Sequence, residues 1–86
     1  MKETEKILKA LANSRRLAIL KFLNSTTKAS VGDIAKQIKL SFKATSKHLG
    51  ILRAADILER EQVNLCMFYS LNRPLKSIIK STLDEL

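Results

Sequence analysis

What this chain has little of narrows its chemistry before any motif is considered. It contains one cysteine, one histidine, two glycines, one proline and no tryptophan. A single thiol, Cys66, excludes an intramolecular disulfide and every zinc site built on two thiolates, and it reads as a small core residue. Two glycines leave no phosphate-cradling loop, and one histidine without a cluster of carboxylates leaves no acid, base and nucleophile set, so an enzyme is not expected. The longest apolar runs are far too short to span a bilayer. The charged start, Met1 to Lys6, has no signal-peptide core behind it, and a cytoplasmic protein is expected. Acidic residues are also scarce: 8 stand against 16 Lys and Arg, for a net charge of +8. That excess points to polyanions, of which nucleic acid is the commonest. A membrane-surface helix would need a broader apolar face than any segment here offers.

With 86 residues, the chain is expected to form one domain, 1–86, because the remainder could not build a second core. A domain of this size buries only about 60% of its unfolded surface, so an oligomer partner would help it.

The stretch from Leu40 to Ala55 reads as one amphipathic helix. At a 3.6-residue period Thr45, Leu49 and Leu52 share a packing face with Ala55 beside them, while Lys43, Ser46, Lys47, Gly50 and Ala54 fall opposite. No acidic residue occurs from Ile34 through Ala55, although Lys36, Lys39, Lys43, Lys47 and Arg53 lie there. Cations for phosphates and short hydroxyls for close approach suit a helix that enters a DNA major groove. A solvated lysine face is the bland alternative. Gly50 on the exposed side costs about 1 kcal/mol relative to Ala, which suggests that something approaches the backbone there.

The other segments give this helix its setting. Ile7, Leu8 and Leu11 recur at helical spacing between Lys2 and Ala12. Asn13 and Ser14 supply cap-type side chains for a second helix, Arg15 to Leu23, with Leu17, Leu20 and Phe22 or Leu23 turned inward. Asn24 to Lys28 reads as a polar loop. Ser30, with Asp33 three residues on, caps a third helix whose inner face is Ile34, Ala35 and Ile38. Lys39-Leu40 leaves room only for a tight turn before Ser41 caps the basic helix, and two short helices so joined form a helix-turn-helix. Asp56, tolerant of the left-handed conformation, stops it. Ile57 to Gln62 and Leu65 to Leu71 read as strands around a Val63-Asn64 turn. Asn72 and Pro74 then start a last helix lined by Leu75, Ile78, Ile79 and Leu83, with Thr82 beside them and Leu86 beyond. The expected fold class is mainly α with a small β-hairpin, a winged helix-turn-helix in the order helix-helix-helix-helix-strand-strand-helix. Apolar stripes at both ends exceed what one small core can cover, which favours a dimer interface made from them.

Three motifs in this order resemble the ArsR/SmtB family of winged-helix transcriptional repressors. They are Leu8 to Leu20, with its Leu11-Ala12 pair, Arg15 and Ile19-Leu20; Ser46-Lys47-His48-Leu49 followed by Ile51-Leu52-Arg53; and Phe68-Tyr69-Ser70-Leu71. The resemblance implies a homodimer with first and last helices at the interface, through Ile7, Leu8, Leu11, Leu75, Ile78, Ile79 and Leu83. It implies binding to double-stranded DNA at a two-fold symmetric operator and repression of transcription. By this carry-over Ser41, Lys43, Ser46 and Lys47 face DNA, with Arg16 a candidate backbone contact; Phe42, Thr45 and His48 on the same helix and Arg60 on the wing are further DNA-contact candidates. His48 is expected to pack or to bond a phosphate rather than read a base.

Departures from the family pattern sharpen the reading. Ser30 and Gly32 stand where metal-sensing members carry two cysteines, and the last helix has Asp84 and Glu85 but no histidine, so no metal or other cofactor is expected. Cys66 has no mate within the chain for a redox pair, and a switch through an intermolecular disulfide is the minor alternative. Phe42 replaces a usual polar residue; packing under the preceding turn is favoured over contact with a thymine methyl. The wing tip, Gln62 to Leu65, lacks the usual arginines and glycine. Release from DNA by a small ligand at the dimer interface and repression tuned only by protein level are both open, and the effector is unknown. The rival function is a winged helix that serves protein contact within a larger transcription assembly.

Overall fold

A computed structural model describes residues 1–86. Its elements are α1 (Lys2–Leu11), α2 (Ser14–Thr26), β1 (Lys28–Ser30), α3 (Val31–Ile38), α4 (Phe42–Ala54), β2 (Leu58–Val63), β3 (Cys66–Leu71) and α5 (Ser77–Asp84). No helix is long and apolar enough to cross a membrane. Ile19, Leu20, Leu23, Ile34, Leu49, Leu52 and Ile57 are fully buried where α2, α3, α4 and the start of the hairpin meet. Ile7, Ala10 and Leu11 close the core from α1, and Ile79 and Leu83 close it from α5.

The helix starts follow the expected capping chemistry. Asn13 Oδ1 accepts the backbone N–H groups of Arg15 and Arg16 at 2.9 and 3.1 Å. Ser30 Oγ accepts that of Asp33 at 3.2 Å, and Ser41 Oγ that of Ala44 at 3.1 Å. Each satisfies donors that the first turn of a helix leaves without partners.

Helix ends are built without glycine. Positive φ occurs at Thr27, Lys39, Asp56 and Asn64, and at neither glycine. At the end of α3 the Leu40 N–H donates to Ala35 O at 3.0 Å, and at the end of α4 the Ile57 N–H donates to Leu52 O at 3.0 Å. These are the six-to-one bonds of Schellman motifs, each followed by an apolar residue, Leu40 or Ile57, that packs back on the core. Left-handed Asp56 was expected; Lys39, at φ 56, carried no such signal because a lysine there is ordinarily disfavoured.

The structure departs from the expected local pattern at four places. Asn24 to Thr26 continue α2 rather than forming a loop, because the Ser25 and Thr26 hydroxyls donate to Phe22 O at 2.9 and 3.0 Å inside the last turn. Lys28–Ser30 is then a strand, so the sheet has three strands in the order β1-β3-β2, antiparallel throughout, with Ala29 opposite Tyr69 and Arg60 opposite Tyr69 on the other side. Val63 pairs with Cys66, which moves the turn to Asn64-Leu65. Asn72 and Pro74 do not start the last helix. Asn72 instead ties down the base of the hairpin: its Nδ2–H donates to Asp56 O at 3.1 Å and its backbone N–H to Ile57 O at 2.9 Å. The Arg73–Pro74 peptide is cis, and α5 begins at Ser77 after an extended Lys76.

Leu49 touches the core from the middle of α4, so its truncation tests the packing directly. Leu49→Ala is expected to lower unfolding free energy by about 2–5 kcal/mol in urea melts. A loss below about 1 kcal/mol would mean that α4 is not seated as described.

Candidate nucleic-acid interface

The surface left by α4 follows from what it buries. Thr45, Leu49 and Leu52 face inward, and Lys43, Lys47, Gly50 and Ala54 are exposed on the other side. Ser41 is exposed at the cap and Ser46 half-buried one turn on. Seven residues were assigned to DNA on or beside this helix, and Thr45 is the one the packing removes. It is fully buried, and its hydroxyl has no hydrogen-bond partner. Nothing in the chain lies within 4 Å of a Cβ built on Gly50, so the close approach inferred for that position does not come from the monomer's own fold.

Two arginines at the start of α2 hold the helix-turn-helix in place. Arg15 Nη1–H donates to Ile38 O at 2.8 Å, which satisfies a carbonyl at the open end of α3. Arg16 points the other way: Nε–H donates to Ala10 O at 2.6 Å, Nη2–H to Lys9 O at 3.2 Å, and Nη1–H to His48 Nδ1 at 3.3 Å. One guanidinium thus joins the end of α1 to the flank of α4. Three of its donor groups are turned inward, so Arg16 acts on α4's position whatever else it touches. Arg16, expected against DNA, bonds the chain's own backbone and His48, and nothing in local spacing signals Arg15's bond to a residue 23 positions away.

A guanidinium cannot accept, so the Arg16 contact requires His48 Nδ1 to be unprotonated, with the proton on Nε2. Partial burial, then the charges of Arg16, Lys47 and Arg15, hold the imidazole pKa below its ordinary 6.5. His48 is therefore neutral and half-buried, and its Nδ1 bonds Arg16 rather than a phosphate.

Other assigned residues lie elsewhere. Phe42 is not packed under the preceding turn; it is 63% exposed, because the first position of α4 projects beyond the core edge. Cys66 is exposed at the start of β3, not in the core, since the turn lies one residue later than expected. Arg60 is exposed on β2, flanked in sequence by exposed Glu59 and Glu61, so the wing adds no net positive charge there. Leu65 at the wing tip is 97% exposed. Of the residues assigned to a dimer interface, Ile7, Leu11, Ile79 and Leu83 are buried in the chain's own core. They support a surface rather than form one. Leu8 is exposed, and Leu75 and Ile78 are half-buried. A Lys76–Glu3 ion pair brings the approach to α5 beside the start of α1, and it lowers the Glu3 pKa. No group of three or more His, Cys, Asp or Glu side chains is placed to hold a metal ion.

Two stacked helices capped and clamped in this way, with a basic second helix and a hairpin beside them, define a winged helix-turn-helix protein. The chain belongs to the arsR family of bacterial regulatory proteins, whose model matches residues 13–60, from the cap of α2 into β2. It is similar to the transcriptional activator HlyU of Vibrio cholerae, 38% identical over 66 residues that cover 77% of this chain. That alignment spans only 60% of HlyU's length. The HlyU structure superposes with a TM-score of 0.83 at 31% identity, covering 98% of this chain and 87% of that one. The transcriptional repressor PagR of Bacillus anthracis does so with a TM-score of 0.79 at 31% identity, covering 93% and 92%.

His48 is the only histidine, so it dominates titration between pH 5.5 and 7.5, a window of about two units. Its folded pKa lies below the unfolded value, so the unfolded chain binds more protons there. Stability is expected to be fully present above about pH 6.5 and to fall as pH drops through the lowered folded value. Denaturant melts should show that slope in the native protein and a flat profile in His48→Gln; an unchanged slope in the variant would refute the clamp.

Proposed function

We propose that the protein is a sequence-specific DNA-binding regulator that acts as a homodimer on an inverted-repeat operator and represses by occupying it. The observation that carries this reading is the exposed side of α4: Lys43 and Lys47 beside Ser41 and Ser46, small Gly50 and Ala54, and no carboxylate on the helix. Cations and hydroxyls bond phosphates, and small residues let the backbone approach a groove floor. The helix N-terminus adds the N–H groups of Phe42 and Lys43 that the Ser41 cap leaves free, a further attraction for phosphate. His48 contributes its Nε2–H to a backbone oxygen. The wing carries no net positive charge, so affinity rests on α4, with Arg60 as a peripheral contact.

Leu8, with half-buried Leu75 and Ile78, supplies the two-fold contact, supported from beneath by Ile7, Leu11, Ile79 and Leu83. A two-fold dimer presents one α4 to each half-site, about 34 Å apart, and so selects an inverted repeat. The named relatives carry both regulatory signs, HlyU an activator and PagR a repressor. Operator occupancy by the dimer blocks transcription without any further surface, which favours repression. The whole chain, 1–86, acts as one domain in the cytoplasm.

Selection from a random duplex pool at physiological salt tests the reading. The native protein should enrich an inverted repeat, and Lys43→Ala/Lys47→Ala should lose it, with the slope of log affinity against log salt reduced by about 4, two lysines from each subunit of the dimer. No enriched sequence would sink DNA-specific regulation and favour protein contact as the use of this winged helix. Gly50→Ala gives a second check with opposed signs. It is expected to stabilise the isolated protein by up to about 1 kcal/mol, since the added methyl meets open space, while weakening operator binding. Equal or tighter binding would show that nothing approaches that backbone.

A further inference from the structure

The basic face of α4 accounts for phosphate binding but leaves an exposed aromatic ring unexplained. Phe42 is the first residue of α4, directly after the Ser41 cap, and 63% of it is exposed. It borders a shallow cleft of about 360 Å³ whose other walls include Val31, Leu65 and Met67. Phe42 and Leu65 are exposed at this cleft while Val31 is buried and Met67 half-buried, so apolar surface is open here to an incoming apolar group. Its surroundings select the occupant. Lys43 is the next residue, and Ser46 lies one helical turn beyond Phe42 on the same side. A protein partner seated here would have to desolvate Lys43, whereas a duplex brings a phosphate to meet it.

We propose that Phe42 is a specificity-determining residue that selects thymine, through its C5-methyl group, at one position in each half-site. This rests on the DNA-binding reading above. In a helix-turn-helix the first turn of the second helix lies against base edges. A phenyl ring has no donor or acceptor for those edges or for phosphate, and the one apolar group on the major-groove edge of the bases is the thymine methyl. Lys43 and Lys47 then hold the helix on the backbone, and Phe42 discriminates. The half-buried Ser46 hydroxyl beneath it bonds the neighbouring base edge.

Deoxyuridine lacks only that methyl, so it isolates the contact. Each thymine of the selected operator is replaced in turn by deoxyuridine, symmetrically in both half-sites, and binding is measured for the native protein and for Phe42→Ala. Removing one buried methyl is expected to weaken the native protein about fourfold per half-site at a single position. Phe42→Ala should bind the thymine operator more weakly and be indifferent to deoxyuridine at that position. Sensitivity retained by the variant, or none in the native protein at any thymine, overturns the proposal. A thermal melt of Phe42→Ala like that of the native protein is expected for so exposed a side chain, and Phe42→Leu, which keeps an apolar contact, should recover part of the deoxyuridine sensitivity. Failure of the pool selection itself would count against DNA-specific regulation, whereas an enriched operator insensitive to methyl removal counts against Phe42 alone.

Discussion

Leu49 and Leu52 lie fully buried on one side of α4, and a helix advances about 100° per residue, so burying that side determines what the other side shows. Thr45 and Ala55 extend the buried stripe to both ends of the helix. Lys43, Lys47, Gly50 and Ala54 are then outward without any further interaction to place them. The cost of exposing two leucines, several kcal/mol, exceeds anything an exposed lysine pairing could supply. Hydrophobic packing therefore sets the geometry of the electrostatic surface. Thr45 marks the edge of this logic: its hydroxyl shares the stripe with no partner, a local cost accepted within a well-packed neighbourhood.

Packing decides which face is inward, but polar bonds decide where the helix sits along its neighbours. Arg15 reaches the end of α3 and Arg16 joins α1 to His48 on α4. Both follow the Asn13 cap, whose carboxamide orders their own backbone N–H groups. Three of the four residues from Asn13 to Arg16 thus fix the start of α2 and, through it, the two helices of the helix-turn-helix. The neutral state of His48 is part of this arrangement, because its Nδ1 must accept. Protonation would set a cation against Arg16, Arg15 and Lys47 together.

The wing divides labour with α4 in an unusual proportion. β2 places Glu59 and Glu61 beside Arg60, and the turn ends on exposed Leu65. A hairpin of that composition carries no net positive charge, whereas α4 carries Lys43, Lys47 and Arg53 and no carboxylate. Apolar character at the tip continues through Met67 and Val31 to Phe42. The surface is therefore basic at Lys43 and Lys47 and apolar where Phe42 meets the wing tip.

Much of this was legible in the residues. The 3.6-residue stripe named the buried face of α4, caps at Asn13, Ser30 and Ser41 marked three helix starts, and the scarcity of acids across Ile34 to Ala55 marked the basic surface. Such features are local: they depend on periodicity, on side chains bonding backbone within one turn, and on charge count. The rest required distant parts of the chain to meet. β1 is three residues long and exists because β3 pairs with it, Asn72 serves the hairpin base because Asp56 lies beside it, and Arg16 is a clamp because Ala10 and His48 converge on it. The same holds for exposure. Periodicity by itself determined that Leu49 is inside and Lys47 outside, but only the tertiary structure decided that Phe42 overhangs the core edge, that Cys66 falls outside it, and that Ile7, Leu11, Ile79 and Leu83 are consumed by their own monomer. A residue's periodicity gives the direction of its side chain; what stands in that direction depends on elements far away in sequence.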